Sequence, residues 1–264
     1  MCETIFICGE NFVTFCPNLS LVPDVIVPDL VKESHISFLD LDTYELAYQL
    51  TVRDYQLFRN VLPTDYIIDT FRRKGNEPSK IDNMNRLEDL VNEETFWVQH
   101  EVCQETNVSR RAKCLKHFIS ISLHLKNLKN YNSMFAIISG LDSGPVRRLA
   151  ATWKLVPSKM VNQFRELETL MDPSRNMSKY RCMKAENEMP PLVPFVPVIK
   201  KDLTFLHLGN DTKVDGLINF EKMRMIAREI RTVRQYCEPT NFINSYRYVN
   251  KLKQHLSNSF QQSN

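Results

Sequence analysis

The sequence predicts an all-α domain, and three observations support that prediction. Only six glycines occur among 264 residues, which disfavours a β fold built on many tight turns. From about residue 42 onward, apolar residues recur with the period of a helix that is buried on one face. The composition, 43% hydrophobic and 25% charged, is typical of a globular protein with a full core.

Three segments are predicted along the chain, which is long enough for one large domain or two small ones. Residues 1–37 form a short, irregular and β-prone flank, since "TIFICGENFVTFC" and "DVIVPDL" are rich in β-branched and aromatic residues. Residues 38–236 carry the helical domain. Residues 237–264 form a polar, weakly helical tail.

Three stretches of the helical domain show a buried stripe clearly. Apolar residues spaced by three, four or seven positions lie on one side of a helix. The stripes are Leu87, Leu90, Val91 and Trp97; Met160, Phe164, Leu167 and Met171; and Met223, Ile226, Ile230 and Val233. Residues 200–230 are predicted to form a short helix, a polar turn and a long helix, which we call the hairpin.

Helix breaks are expected where proline, glycine and small polar residues cluster. They fall at "RRKGNEPSK" (72–80), "DSGP" (142–145), "MDPS" (171–174) and "EMPPLVPFVP" (188–197). The last segment is dense in proline and is predicted to be an extended bridge, because proline biases the residue before it out of the helical conformation.

Charge and motif content exclude several classes of function. The net charge of +3, from 34 basic and 31 acidic residues, is too balanced for a protein that binds nucleic acid through phosphate contacts. The seven cysteines include no CxxC pair and the six histidines show no metal-ligand spacing, so no metal site is predicted. No glycine-rich nucleotide loop and no GxSxG motif occurs.

No apolar stretch approaches the ~20 residues that a membrane helix needs. We therefore expect no direct insertion into a membrane, and recruitment to a membrane would depend on regions or partners outside this chain. The odd, scattered cysteines predict reduced thiols in a cytoplasmic protein, and the missing motifs predict no cofactor. A helical protein without a reaction centre suggests a binder that acts through its shape.

Five blocks of the sequence resemble the catalytic domain of Ras-type guanine-nucleotide exchange factors, the RasGEF domain. They stand in the family's order and spacing and cover about residues 38–236. The blocks are "ELAYQLTVRDYQLFRNVLPTDYI" (45–67), "ETFWVQHEV" (94–102), "AKCLKHFISISLHLKNLKNYNSMFAIISGLDSGPVRRLAATW" (112–153), "PPLVPFVPVIKKDLTFLH" (190–207) and "GNDTKVDGLINFEKMRMIA" (209–227). "DPSRNMSKYR" (172–181) resembles the Rap-directed branch, most closely the exchange factors that carry a PDZ domain.

The resemblance implies that the hairpin protrudes and acts as a wedge. In the family it enters a small GTPase beside the nucleotide, displaces switch I and disturbs the magnesium and phosphate sites. Nucleotide then leaves without covalent chemistry, so the protein is not expected to be an enzyme in that sense.

Thr204 and Leu208 match the two hairpin positions that point at those sites in the family. They are four residues apart, and so lie on one helix face. The second position is commonly glutamate in the family. A leucine there can occlude the phosphate site but cannot repel phosphate. The alternative is that Leu208 is buried against the long helix.

The resemblance also implies contacts to switch II of the GTPase. These fall on Glu88, Asp89, Asn92, Phe135, Asp142, Ser143, Asn176 and Met177, with Phe195 packed under the hairpin or against switch II. Other branches carry apolar or basic residues at the positions of Glu88 and Asp89. The acidic pair indicates either a different GTPase preference or a solvated helix face.

The function predicted from the resemblance is guanine-nucleotide exchange on a Rap/Ras-like small GTPase, with release of GDP and loading of GTP. The alternative is a GTPase-binding module of the same fold with weak or no exchange activity. Leu208 favours the alternative. So does the length of residues 1–37, which are too few for the upstream helical motif that supports the hairpin in the family. The chain is accordingly expected to be a fragment or a short isoform. A helical scaffold unrelated to GTPases would require the ordered blocks to match by accident.

Overall fold

The computed structural model describes residues 5–8, 11–14, 38–71 and 82–237, and every structural statement below refers to these residues. The described part is predominantly helical, which confirms the predicted all-α class. The "DVIVPDL" segment, the predicted break at 72–80 and the tail beyond residue 237 lie outside it. The predicted domain boundaries stay a prediction.

Eleven α-helices are described within these ranges. They are α1 (Thr43–Arg59), α2 (Pro63–Phe71), α3 (Asp82–Gln104), α4 (Val108–Asn127), α5 (Tyr131–Asp142), α6 (Gly144–Arg147), α7 (Ala150–Trp153), α8 (Ser158–Leu170), α9 (Ser174–Glu186), α10 (Val196–Leu208) and α11 (Phe220–Gln235). A 3₁₀ helix, Phe38–Asp40, precedes α1. The strands are β1 (Ile5–Cys8), β2 (Asn11–Thr14), β3 (Lys213–Val214) and β4 (Leu217–Ile218).

Strands β1 and β2 form an antiparallel pair near the N-terminus. Ile5 lies opposite Thr14, and Cys8 lies opposite Asn11. The pairing agrees with the β-prone character predicted for "TIFICGENFVTFC".

Side-chain caps explain where several helices begin. The Asp42 carboxylate accepts the Tyr44 and Glu45 N–H groups at the start of α1, each at 2.9 Å. The Asn107 side chain accepts the Ser109 N–H at 2.9 Å at the start of α4. Each cap provides a partner for backbone donors that the first helical turn leaves free.

Helix α5 lies at the centre of the core, in contact with α1, α3, α4, α6 and α8. Ten of its twelve residues are buried, as expected for a helix that is surrounded on all sides. Gly140 sets the closest approach, because a Cβ atom there would lie 2.6 Å from Val98 Cβ and 2.8 Å from the Thr95 carbonyl oxygen of α3. Only glycine permits this packing of α3 on α5.

A buried polar network joins α1, α3 and α5. Arg53 donates to Asp54 at 2.8 Å and also to Glu94. The Ser133 hydroxyl lies 2.6 Å from Asp54 Oδ2 and 3.0 Å from Glu94 Oε1. Asn130 donates to Asp54 at 3.1 Å. The network gives Asp54 the partners that a buried carboxylate needs, whereas Glu94 Oε2 has no hydrogen-bond partner among the described residues.

The three predicted stripes face the core. Leu87, Leu90, Trp97, Phe164, Leu167, Ile226, Ile230 and Val233 are buried, while Val91, Met160, Met171 and Met223 are half-buried. The predicted breaks at 142–145 and 171–174 fall at the ends of α5 and α8. None of the described helices is both long and apolar enough to cross a membrane.

The proline-dense bridge is shorter than predicted, since α10 already begins at Val196. The bridge is held at Val193. Its N–H donates to the Lys129 carbonyl and its carbonyl accepts the Tyr131 N–H, both at 2.9 Å.

Candidate functional site

The two helices of the hairpin, α10 and α11, end where sequence signals place their ends. Pro197 lies in the first turn of α10, where a missing N–H removes no helical hydrogen bond. The Gly209 N–H closes α10 on the Phe205 carbonyl at 2.8 Å. Asn219 caps α11, since its side-chain oxygen accepts the Lys222 N–H at 3.2 Å.

A small antiparallel ribbon forms the polar turn that was predicted between the two helices. The pairs are Lys213 with Ile218 and Val214 with Leu217. Asp215 and Gly216 connect the strands with φ angles of 52° and 78°. Asp-Gly is favoured in two-residue loops of this kind, because both positions require positive φ. Residues 211–218 are all exposed, so the ribbon projects from the body.

Thr204 and Leu208 both lie on the exposed side of α10. Leu208 keeps 73% of its surface exposed, so the alternative that it is buried against the long helix is wrong. The Thr204 hydroxyl donates to the Lys200 carbonyl one turn earlier, at 2.8 Å. The two residues are therefore available to a partner, as the sequence suggested.

Large apolar side chains are exposed along the hairpin. They are Phe205, Leu208, Val214, Leu217, Ile218 and Phe220, which we call the apolar tip. Of these only Leu208 was predicted as a site residue. Exposed apolar side chains that occur together mark surfaces that bind other proteins. Phe205 could have been found from the sequence, because it lies next to Thr204, a predicted site residue.

The base of the hairpin is held by packing and by ion pairs. Leu203 and Ile226 are buried where α10 and α11 contact each other and α2. The Lys200 ammonium lies 3.1 Å from Asp69 of α2 and 2.7 Å from Glu88 of α3. Burial alone would lower the pKa of Lys200, but the two carboxylates outweigh it and raise that pKa above its ordinary value.

The predicted switch II contacts on α3 have different environments. Asp89 and Asn92 are exposed, whereas Glu88 is half-buried in its ion pair with Lys200. Phe96, on the next turn of the same face, is 67% exposed and was not predicted. The face is therefore open to a partner, but one of its acids already serves the hairpin.

Phe135 does not lie on the surface, and the prediction of a direct contact there is corrected. Its side chain is fully buried, because α5 is the central helix. Its ring packs against Phe195 at 4.5 Å between centroids and against Tyr180 at 5.2 Å. Phe195 is half-buried. Its position is fixed by the Phe135 ring and by its own N–H, which donates to the Tyr180 hydroxyl at 2.9 Å.

Asp142 and Ser143 lie at the corner between α5 and α6. Asp142 is exposed and accepts from Arg147 at 2.7 Å, and Arg147 also pairs with Glu168. The Ser143 hydroxyl donates to the Gly140 carbonyl at 2.6 Å. Among the described contacts none links this corner to the hairpin, so it forms a separate part of the candidate surface.

Asn176 and Met177 lie in a turn that the sequence did not predict. Together with Arg175 they have φ angles of 49° to 57°, the left-handed region, inside the span assigned to α9. This conformation costs roughly 1–2 kcal/mol per residue for side chains other than glycine. Arg181 donates to the Asn176 carbonyl and to Asp202 of α10, both at 2.7 Å. The strained turn is thereby linked to the hairpin.

The described residues contain no group of three or more His, Cys, Asp or Glu side chains that could hold a metal ion.

The fold and the site define a helical domain with an exposed, apolar-tipped hairpin, which presents a surface for another protein.

Comparison with known proteins gives the family. Residues 45–224 match the family model of the RasGEF domain, and the chain belongs to that family. It is 52% identical over 215 residues to Rap guanine nucleotide exchange factor 6 of Homo sapiens, with 81% of this chain and 13% of the relative covered.

Less similar relatives also have the names of guanine nucleotide exchange factors. The chain is 46% identical over 214 residues to a Rap guanine nucleotide exchange factor of Caenorhabditis elegans, covering 81% of this chain and 14% of the relative. It is 34% identical over 223 residues to Ras guanine nucleotide exchange factor R of Dictyostelium discoideum, with 83% and 13% covered. The chain therefore spans only a small part of the length of these relatives.

Proposed function

We propose that this protein is a guanine-nucleotide exchange factor that opens a Rap/Ras-like small GTPase and promotes release of GDP and loading of GTP. The observation that carries the proposal is the exposure of Thr204 and Leu208 on the hairpin of a RasGEF domain. The printed names of several relatives, Rap guanine nucleotide exchange factors, support Rap as the preferred partner class.

The proposed mechanism acts through the shape of the hairpin and forms no covalent bond. A GTPase that holds GDP with picomolar affinity has roughly −16 kcal/mol of binding free energy. The hairpin enters beside the nucleotide and stabilises the form of the GTPase that binds nucleotide weakly. Because the coupling is reciprocal, an incoming nucleotide weakens the grip of the exchange factor by the same factor.

Residues outside the hairpin are proposed to hold the GTPase while the hairpin opens it. Asp89, Asn92, Asp142 and Asn176 are exposed and can donate to or accept from a partner directly. Ser143, Met177 and Phe195 are half-buried and would contribute part of their surface. Glu88 would have to exchange its Lys200 ion pair for a partner contact, so we assign it a supporting role.

A second candidate function is a GTPase-binding module with weak or no exchange activity, and the leucine at position 208 favours it. Leucine cannot repel phosphate, so only the steric part of the opening remains. Both candidate functions predict binding to the GTPase, but they differ in how strongly the chain accelerates GDP release.

The test is release of fluorescent GDP from a panel of Rap and Ras proteins by the full 264-residue chain. We expect faster release from Rap than from Ras. Thr204→Arg/Leu208→Arg should abolish the acceleration, whereas Glu166→Arg, the same change in charge on an exposed site of α8, should not. Equal or greater acceleration on Ras would overturn the Rap assignment.

The same experiment separates the two candidates. Binding to nucleotide-free GTPase without faster GDP release would favour the binding module, and the absence of both would reject the proposal.

The scattered cysteines without a CxxC pair support the cytoplasm as the proposed place of action.

A further inference from the structure

Lys222 of α11 is a buried cation at the root of the ribbon. Its side chain is 1% exposed, and its Nζ donates to the Asn210 carbonyl and to the Thr212 hydroxyl, both at 2.8 Å. None of the ion pairs among the described residues includes Lys222. Burying an ammonium is costly unless its donors find well-placed acceptors. The position of this side chain is therefore closely defined by its two acceptors.

Phe71, the last residue of α2, connects Lys222 to the other helix of the hairpin. The Lys222 ammonium lies 5.8 Å from the centre of the Phe71 ring, within the range of a cation–π contact. The same ring also packs against His207 of α10, at 4.5 Å between centroids and an interplanar angle of 67°. We call Lys222, Phe71 and His207 the brace.

The brace acts on the segment that joins Leu208 to the ribbon. Asn210 and Thr212, the acceptors of Lys222, lie two and four residues beyond Leu208. The Asn219 N–H donates to the Thr212 carbonyl at 3.0 Å, so the same threonine also anchors the start of α11. Loss of the Lys222 contacts would remove one hydrogen bond from Asn210 and one from Thr212 at the same time.

The geometry points to Lys222 as a positioning residue for nucleotide exchange: through Asn210 and Thr212 it fixes the end of α10 that carries Leu208, and Phe71 supports it from α2. This inference rests on the proposed function. It also gives the hairpin a support within the described chain, where the resemblance led us to expect support from a helical motif upstream. A wedge that bends cannot transmit its binding energy to the GTPase, so a rigid tip should matter for the rate of opening more than for the first grip.

The test compares matched variants of the full chain in GDP-release assays at increasing concentrations of the exchange factor. Lys222→Met removes the donors and keeps the stem, and Arg231→Met removes an exposed charge from the same helix as a control. We expect the maximal rate to fall about tenfold for Lys222→Met, since hydrogen bonds from a charged donor are lost. The concentration that gives half the maximal rate should be unchanged, because the surfaces of α3 and α9 are intact. The inference would be overturned if Lys222→Met changed the concentration that gives half the maximal rate and left the maximal rate itself unchanged.

A second pair of variants covers the case in which Lys222→Met does not fold. Thr212 is exposed, so Thr212→Val removes one acceptor without disturbing the core, and Thr212→Ser keeps the hydroxyl. The valine variant should lower the maximal rate and, because it leaves one donor of a buried ammonium without its acceptor, lower the melting temperature by about a few degrees. The serine variant should restore both. Equal rates for the two variants would contradict a role for the Lys222–Thr212 contact.

Amide hydrogen exchange over residues 209–219 separates failure of the brace from failure of the proposed function. Faster exchange there in Thr212→Val than in Thr212→Ser supports the brace, even if the parent chain releases GDP from no GTPase of the panel. In that outcome only the proposed function fails. Equal protection in both variants would overturn the brace, whatever the parent chain does to GDP release.

Discussion

The Glu88 carboxylate of α3 lies 2.7 Å from the Lys200 ammonium of α10. This ion pair joins a residue predicted to contact the partner to the helix that carries Thr204 and Leu208. Lys200 also lies 3.1 Å from Asp69 of α2, so one cation joins α10 to two helices of the body. The acidic character of position 88 thus has a structural reason within the chain itself.

The Glu88–Lys200 pair should stabilise the fold only modestly. Both side chains are partly exposed, at 35% and 22%, so solvent and salt screen the attraction. A double-mutant cycle with Glu88→Gln and Lys200→Met is expected to give a coupling energy of about 0.5 kcal/mol that declines as salt is added. The same cycle with Asp89→Asn, the exposed neighbouring acid, should give a coupling near zero. Equal coupling for both acids would show that the geometry of the pair does not matter.

Leu208→Glu tests whether a negative charge at position 208 adds to the steric opening of the GTPase. Leu208 is exposed, so the change should alter the free energy of unfolding by no more than about 0.5 kcal/mol. A carboxylate there would repel the phosphates of GDP. The GTPase should therefore release GDP at least as fast with this variant as with the parent chain.

Leu208→Gln is the matched control, since it has the shape of glutamate without the charge. Thermal unfolding and GDP release of both variants are measured together. A stable glutamate variant that is clearly slower than the glutamine variant would contradict the electrostatic account.

Ile226→Ala tests whether the core face of α11 holds the hairpin. Ile226 is 3% exposed, and truncation of a buried isoleucine typically costs about 2–5 kcal/mol of stability. Phe220→Ala removes a larger apolar side chain from an exposed site of the same helix and should cost about 0.5 kcal/mol or less. Urea unfolding gives both values, and GDP release should fall with Ile226→Ala. Equal stability of the two variants would show that α11 does not depend on this face.

Glu94 predicts a dependence of stability on pH. Burial raises the pKa of Glu94 to about 7, against the opposing charge of Arg53 and with a smaller contribution from Asp54. The folded state therefore keeps a proton that the unfolded chain loses near its ordinary value of 4.5. The stability contributed by this group is fully present below that value and is lost as the pH rises through about 7.

Glu94→Gln, which cannot ionise, should lose less stability than the parent chain as the pH rises through this window. Glu93→Gln is the control, because that half-buried neighbour pairs with Arg86 at 2.7 Å outside the network. Urea unfolding at a series of pH values measures the slope for each variant. A parent chain whose stability does not decline more steeply than that of Glu94→Gln would contradict the assignment.

Local patterns made much of the fold predictable. Ile226, Ile230 and Val233 repeat at helical spacing, and their burial follows from that spacing alone. The breaks at 142–145 and 171–174 follow from glycine and proline, which act on their own stretch of backbone. Exposure of Leu208 could not be decided in this way, because leucine at helical spacing fits a core face and a partner face equally well.

The sequence by itself determined the helical class and the family, since these depend on short-range periodicity and on ordered motifs. Only the tertiary structure decided that Phe135 is buried beneath Phe195 and that Lys222 is buried beneath the ribbon. The physical reason is that burial depends on what packs across from a side chain. For Lys222 that neighbour is Phe71, from a helix far away in the chain, whose position no pattern within α11 can encode.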